Sequence, residues 1–274
     1  MDKEDFPSTD HMPKPKVAVH KFASCDGCQV AFLNLGPDLL VLAGLVDIVH
    51  FAEAGMLDDA AAVDVAFVEG SISTPEDAQR IQLIRRASRH LITIGACATA
   101  GGLQALRNLV DAETWVAGVY ARPDYIHSLA TSTAIARHVK VDLELWGCPV
   151  NGRQVLAAVR ALLFGVLPVP ENDKVCMQCK RAQHACVMVT KGLACMGPVT
   201  RTGCGALCPA FGRDCYACYG PAENSNAAAL ARRFAGLGLL PAAIARRFLF
   251  INNAAPEFHG IGVQLRTGKN DPTT

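Results

Sequence analysis

The stretch KVAVHKFASCDGC, residues 16–28, decides the fold. It opens as a short β-rich run and ends in a Cys-x2-Cys turn, so a strand delivers two thiols to its carboxyl end. Runs of the same kind recur at DIVHF (47–51), VDVAFVE (63–69), HLITIG (90–95) and DLELWG (142–147). Several are nearly continuously apolar, the pattern of strands covered by helices on both faces. Helix signals lie between them. Thr74, Pro75, Glu76 and Asp77 supply a cap, a first-turn proline and acids at the positive end of the helix dipole. Another helix follows Gly152 through VLAAVRALLF. Five strands with interleaved helices predict an α/β fold, a flavodoxin-like doubly wound parallel sheet over residues 16–170.

That frame gives the first cysteines a common address. Cys25 and Cys28 follow the first strand, Cys97 the fourth and Cys148 the fifth. Sites in open parallel sheets form beyond the carboxyl ends of the strands, where connections diverge to opposite faces. Four buried small hydrophobes, the plainer alternative, would have no reason to choose strand ends. The chain has 12 cysteines, and the other eight, Cys176, Cys179, Cys186, Cys195, Cys204, Cys208, Cys215 and Cys218, crowd one segment. Glycine and proline are frequent there and regular runs are few. Residues 171–274 therefore read as a small, irregular domain organised by metal centres. Two short amphipathic helices, NAAALARRFAGLG and PAAIARRFLF, follow, and the tail after Asn252 reads as an irregular surface segment.

Four thiolates per site suit either a closed zinc site or a [4Fe-4S] cluster, so twelve cysteines point to three centres. Zinc modules usually join two close pairs across a short loop, whereas Cys25, Cys28, Cys97 and Cys148 come from three loops of a larger fold. Cys195-Met-Gly-Pro and Cys208-Pro also place proline beside the thiols, as cluster-binding segments do. Context favours iron and sulfur, with a zinc-stabilised interaction protein as the alternative. Gly27, Gly95 and Gly147 suit a close approach of backbone to a cluster, or simple turns.

Composition bounds the partners. The chain of 274 residues is 51% hydrophobic with a formal net charge of +1, which suggests neither nucleic acid nor an anionic membrane. Residues 1–15 read as a disordered, solvated arm with no export signal. The apolar stretch from Val155 to Val169 is broken by Arg160 and is too short to span a bilayer. A cytoplasmic location is expected, where cysteine clusters mean metal or redox chemistry and disulfides are rare. Within 174–221, Lys174, Lys180, Arg181, Lys191, Arg201 and Arg213 face Asp214 alone, a balance suited to anionic clusters or an acidic partner. Glu69, ending the third strand, is either a proton relay or partner contact in the crevice, or a solvated strand-end acid. Asp26 reads as turn chemistry. His20, His127 and His138 read as packing or solvated residues.

The motifs resemble the small, electron-transferring subunit of [NiFe] hydrogenases. Ser24-Cys25-Asp26-Gly27-Cys28-Gln29, Val68-Glu69-Gly70-Ser71, Gly95-Ala96-Cys97 and Gly147-Cys148-Pro149 carry the resemblance first. Cys195-Met-Gly-Pro-Val-Thr-Arg-Thr-Gly-Cys204 and Cys215-Tyr-Ala-Cys218 continue it. The resemblance implies a proximal [4Fe-4S] cluster on Cys25, Cys28, Cys97 and Cys148. It implies a distal one on Cys176, Cys179, Cys186 and Cys195, and a medial one on Cys204, Cys208, Cys215 and Cys218. The spacing leaves open an exchange of one ligand between the last two sets.

Membrane-bound members usually have histidine where Cys176 stands and no equivalent of Cys208. The resemblance is therefore to cytosolic, bidirectional enzymes, most of all to the delta subunit of NAD(P)-linked sulfhydrogenases. It implies a NiFe-containing large subunit and flavin/iron–sulfur diaphorase-type subunits as partners. A quinone-linked cluster subunit of the complex I type is the rival, but its adjacent Cys-Cys pair does not occur here.

Overall fold

The computed structural model describes residues 14–58, 60–166, 168–169 and 172–268. The expected arm falls, up to residue 13, outside the described residues. Strands β1 (Lys16–Lys21), β2 (Asp47–Phe51), β3 (Met56–Leu57), β4 (Val63–Glu69), β5 (Ser88–Ile94) and β6 (Leu143–Leu145) form one sheet in the order β3-β2-β1-β4-β5-β6. All pairs are parallel except β2 with β3. The five predicted strands thus take the flavodoxin order 2-1-3-4-5, with the switch point beyond β1 and β4. The added edge strand β3 is two residues long and has no period for a sequence pattern to show.

Both faces of the sheet are covered, as the apolar runs require. Val17, Val19, Phe67, Ile92 and Ile94 pack with Val155 and Val159 of helix Gly152–Leu163. Phe32 sits edge-on to Phe67 and Phe51 at ring-centroid distances of 5.3 and 6.0 Å. Ala18, Ala66, Val68 and Leu91 face Ile81 and Ile84 of helix Pro75–Ala87. That helix begins as predicted. Asp77 N donates to Thr74 Oγ1, and Asp77 Oδ2 accepts from Thr74 N, both at 3.1 Å, closing a capping box. Asn151 caps helix Gly152–Leu163 through Arg153 N at 3.0 Å.

The carboxyl-terminal part has a core of its own. Val175, Val187, Met196 and Val199 of the cysteine segment pack with Phe234, Ile244, Phe248 and Phe258 from helices Ala227–Gly236, Pro241–Phe248 and Pro256–Thr267. The expected irregular surface tail after Asn252 is corrected here. Asn252 and Asn253 are 2% and 1% exposed, and Pro256–Thr267 is a helix with Phe258 buried. Short helices with one apolar face need a partner for that face, and the third helix supplies it. Among the described residues no single helix is long and apolar enough to cross a membrane.

Candidate iron–sulfur sites

The turn after β1 places the first two thiols. Phe22 N donates to Glu69 O at 2.8 Å, continuing the strand pairing one residue further. Asp26 then takes φ 64, a left-handed conformation that a short polar side chain tolerates, and its carboxylate pairs with Lys21 Nζ at 2.6 Å. Asp26 is therefore turn chemistry, as its position predicts. Helix Gly27–Leu33 starts immediately, with Cys28 buried in its first turn and Cys25 exposed before it. Cys97 lies in helix Gly95–Ala100, which follows β5 directly, and exposed Cys148 follows β6. Ala96 N donates to Gly147 O at 2.7 Å, tying these two loops together.

The thiols of this group act on one another. Burial, then Cys148 and Cys25, push the Cys97 thiol up to about 12. Cys28 and Cys148 are raised in the same way, burial first. A thiolate is the metal ligand, so such a site releases protons only when a cation compensates the charge. The chain leaves room for an inorganic core. Gly95, at φ 84, stands where any side chain would collide with Cys28 Sγ, and a Cβ on Gly102 would lie 2.5 Å from Cys97 Sγ. Val150 N donates to Cys28 Sγ at 3.4 Å, the kind of amide–sulfur contact that sets a cluster's potential.

Glu69 is not the solvated strand-end acid weighed from its position. It is 2% exposed, and its two oxygens accept from Cys28 N at 3.0 Å and Gln29 N at 3.2 Å. Burial raises its pKa against the lowering effect of those amides. The carboxylate therefore holds the start of the Cys28 helix, where free N–H groups otherwise lack partners. Its partners lie about forty residues back, beyond the reach of a local pattern.

The remaining eight thiols gather in two neighbouring groups. Cys176 and Cys179 lie one turn apart on helix Val175–Arg181, with exposed Cys186 just before Val187–Thr190. Gly197 brings Cys195 and Cys176 together: a Cβ there would stand 3.4 and 3.5 Å from their sulfurs. Burial, then Cys176, Cys195 and Cys186, push Cys179 up to about 11. In the other group Cys215 is buried, and its Sγ accepts from Ala217 N at 3.4 Å. Cys218 is pushed up to about 12 by burial and then by Cys148, Cys208 and Cys204.

These contacts also link the groups in a row. Cys218 feels Cys148 of the sheet, and Cys179 feels Cys204. Cys195 Sγ accepts from Cys215 N at 3.3 Å, so the last two groups touch. Among the described residues no three His, Cys, Asp or Glu side chains gather closely enough to hold a single metal ion. Of the basic residues noted in this segment, Arg201 is largely withdrawn, its guanidinium over the Trp146 ring at 5.1 Å. Asp214 is engaged by Arg247.

His20 is buried and stacks on His50, ring centroids 4.6 Å apart. His138 bonds Thr133 Oγ1 at 2.7 Å. His127 is exposed.

The profile of the family "NADH ubiquinone oxidoreductase, 20 Kd subunit" matches residues 25–162. The chain is 32% identical to sulfhydrogenase 2 subunit delta of Pyrococcus furiosus, over 77% of this chain and 88% of that protein. It is 30% identical to a vhu subunit of the F420-non-reducing hydrogenase of Methanocaldococcus jannaschii, over 77% of this chain and 83% of that protein. A solved structure of an NAD+-reducing [NiFe]-hydrogenase in the H2-reduced state matches with TM-score 0.52 and 28% identity, over 57% of this chain and 94% of its own. The doubly wound sheet, the thiols beyond its strand ends and these matches together make the chain a member of the NADH ubiquinone oxidoreductase 20 Kd subunit family and, within it, a small, electron-transferring subunit of a [NiFe] hydrogenase complex.

Proposed function

We propose that the chain binds three [4Fe-4S] clusters between the NiFe site of a large subunit and a soluble electron acceptor. Cys25, Cys28, Cys97 and Cys148 hold the proximal one, Cys204, Cys208, Cys215 and Cys218 the medial one, and Cys176, Cys179, Cys186 and Cys195 the distal one. The observation that carries this assignment is the row of thiols, with Cys148 near Cys218 and Cys179 near Cys204. Support for iron and sulfur over zinc comes from the origin of the thiols: Cys25, Cys28, Cys97 and Cys148 come from three separate strand-end loops, whereas zinc modules join two close pairs across a short loop.

When bound, the clusters supply one-electron storage and transfer. The protein's own share is placement. Glu69 holds the Cys28 loop, Gly95 and Gly102 leave space at the sulfurs, and the Val150 amide donates to Cys28 Sγ. Exposed Cys25 and Cys148 mark the edge for the NiFe-containing large subunit, and exposed Cys186 the edge for the acceptor. The two parts of the chain, 16–170 and 171–274, act as a sheet domain and a two-cluster domain in the cytoplasm.

The acceptor is either a flavin/iron–sulfur diaphorase-type subunit serving NAD(P) or another soluble electron acceptor.

Anaerobically purified complex should contain about twelve irons in this chain, four per cluster, with matching acid-labile sulfide and dihydrogen-dependent dye reduction. Bound zinc without sulfide would overturn the proposal. Reduction of NAD(P) by the complex with its flavin subunit separates the two acceptors.

A further inference from the structure

Tyr219 touches both the loop of the sheet thiols and the group ending at Cys218. Tyr219 follows Cys218, is 6% exposed, and turns back so that its hydroxyl donates to Pro149 O at 3.3 Å, one residue beyond Cys148. Its ring faces two glycines. A Cβ on Gly147 would stand 3.0 Å from its Cζ, and one on Gly203 would stand 2.5 and 2.6 Å from Cε1 and Cδ1. Gly147 directly precedes Cys148, and Gly203 directly precedes Cys204. Both have positive φ, 149 and 134, so backbone without a side chain is presented to the same ring at two places. Tyr219 adjoins Cys218 and lies against Gly203 and Gly147, so its ring meets the backbone of both groups.

A second set of ties runs parallel to it. Asn252 Nδ2 donates to Ala217 O at 2.7 Å, inside the Cys215–Cys218 turn. Its neighbour Asn253 donates to Gly102 O at 2.8 Å, beside the Cys97 loop. The loops of the two groups are thus fastened to one another at several points, with Tyr219 filling the gap itself.

We infer that Tyr219 is the spacer that sets the separation of the proximal and medial centres, a positioning residue for the electron step between them. The inference rests on the cluster assignment above. Filling the gap with a rigid ring excludes water and fixes two loops that no strand pairing joins. The ring is neither oxidised nor reduced in this role; it fixes distance and keeps the space dry. Tyr219→Phe keeps the ring and loses the bond to Pro149, whereas Tyr219→Leu and Tyr219→Ala lose the ring.

The test uses the whole complex, reduced anaerobically. Iron and sulfide per chain are counted first, and the magnetic interaction between the two reduced centres is then read from the splitting of their EPR signals. The rate at which the medial signal fills after the proximal one is followed by rapid freezing. Tyr219→Phe should keep full iron and nearly wild-type splitting. Tyr219→Leu or Tyr219→Ala, with full iron, should change the splitting and slow the filling several-fold. Wild-type splitting and rate in a ringless variant with full iron would overturn the spacer role. Loss of iron even in Tyr219→Phe would assign the residue to folding and overturn it too. Wild-type complex without cluster signals would overturn the cluster assignment itself, a separate result.

Discussion

The sheet region and the cysteine-rich carboxyl-terminal region place thiols by different means. In the first, the strands β1, β5 and β6 are paired and buried in the sheet, and Cys28, Cys97 and Cys148 follow where the strands stop. In the second, the thiols also sit on short helices and on turns such as Ala206 and Ala217 at φ 55 and 61, but among the described residues no strand of the sheet leads into them. Non-glycine residues at positive φ cost energy and persist only where their surroundings hold them. A core of Phe234, Phe248 and Phe258 backs this region, and its loops are tied by short β-bridges, Lys174 with Arg201 and Thr200 with Pro221, in place of the long strands of the sheet. A site built on a sheet inherits its geometry from the fold; a site built on turns must share its geometry with what it binds.

The sharpest way to break that contrast is to remove one thiol from each region. Cys179→Ala should lose the share of one cluster, about four irons, with the dye-reducing proximal site intact, as iron analysis and EPR would show. Cys97→Ala should abolish dihydrogen-dependent dye reduction while the carboxyl-terminal signals persist. Loss of all iron in either variant would mean that the regions assemble as one.

Core truncation comes next. Phe258→Ala should cost about 3–5 kcal/mol. If the regions are independent, hydrogen exchange should rise over the cysteine segment and not over β4, where Phe67 and Val68 are 0% exposed.

Acid should act on the sheet region. Burial, then His50 and Arg80, lower the pKa of His20 from 6.5 to about 3. A depressed folded value means that the stabilisation is full above 6.5 and is lost as pH falls toward 3, because the unfolded chain binds the proton first. Denaturant midpoints followed through sheet-region probes should fall over that window, and His20→Asn should flatten the slope.

Smaller effects sharpen the comparison at single glycines. Gly95→Ala places a methyl against Cys28 Sγ at φ 84 and should cost about 1–3 kcal/mol from backbone strain alone. Gly197→Ala meets its two sulfurs at ordinary contact distances of 3.4 and 3.5 Å and should melt near the wild type. Thr74→Ala, which opens the capping box of Pro75–Ala87, should cost about 1 kcal/mol by calorimetry.

Much of the sheet was legible because its signals are local. An apolar run specifies a strand, and Thr74 to Asp77 specify a helix start, whatever lies elsewhere in the chain. The strand-end cysteines followed from those same signals. The helix Gly95–Ala100 was not legible, since Gly95 ends the predicted strand and opens the helix with one positive φ. Nor was the contact of Glu69 with two amides some forty residues earlier, which exists only once β1 and β4 are neighbours. The burial of Asn252 and Asn253 was missed for a related reason. Asparagine is ordinarily a turn residue, and only the arrival of Ala217 and Gly102 gives those amides their acceptors.

By itself, then, the amino-acid sequence determined the doubly wound sheet, the strand-end position of Cys25, Cys28, Cys97 and Cys148, and the supply of twelve thiols. Each depends on residue type and short-range spacing. Tertiary structure alone decided which thiols are neighbours, that Glu69 holds a loop, and that Tyr219 touches two groups. Those are contacts between segments far apart in the chain. They are set by how the packed cores close, which no local pattern encodes.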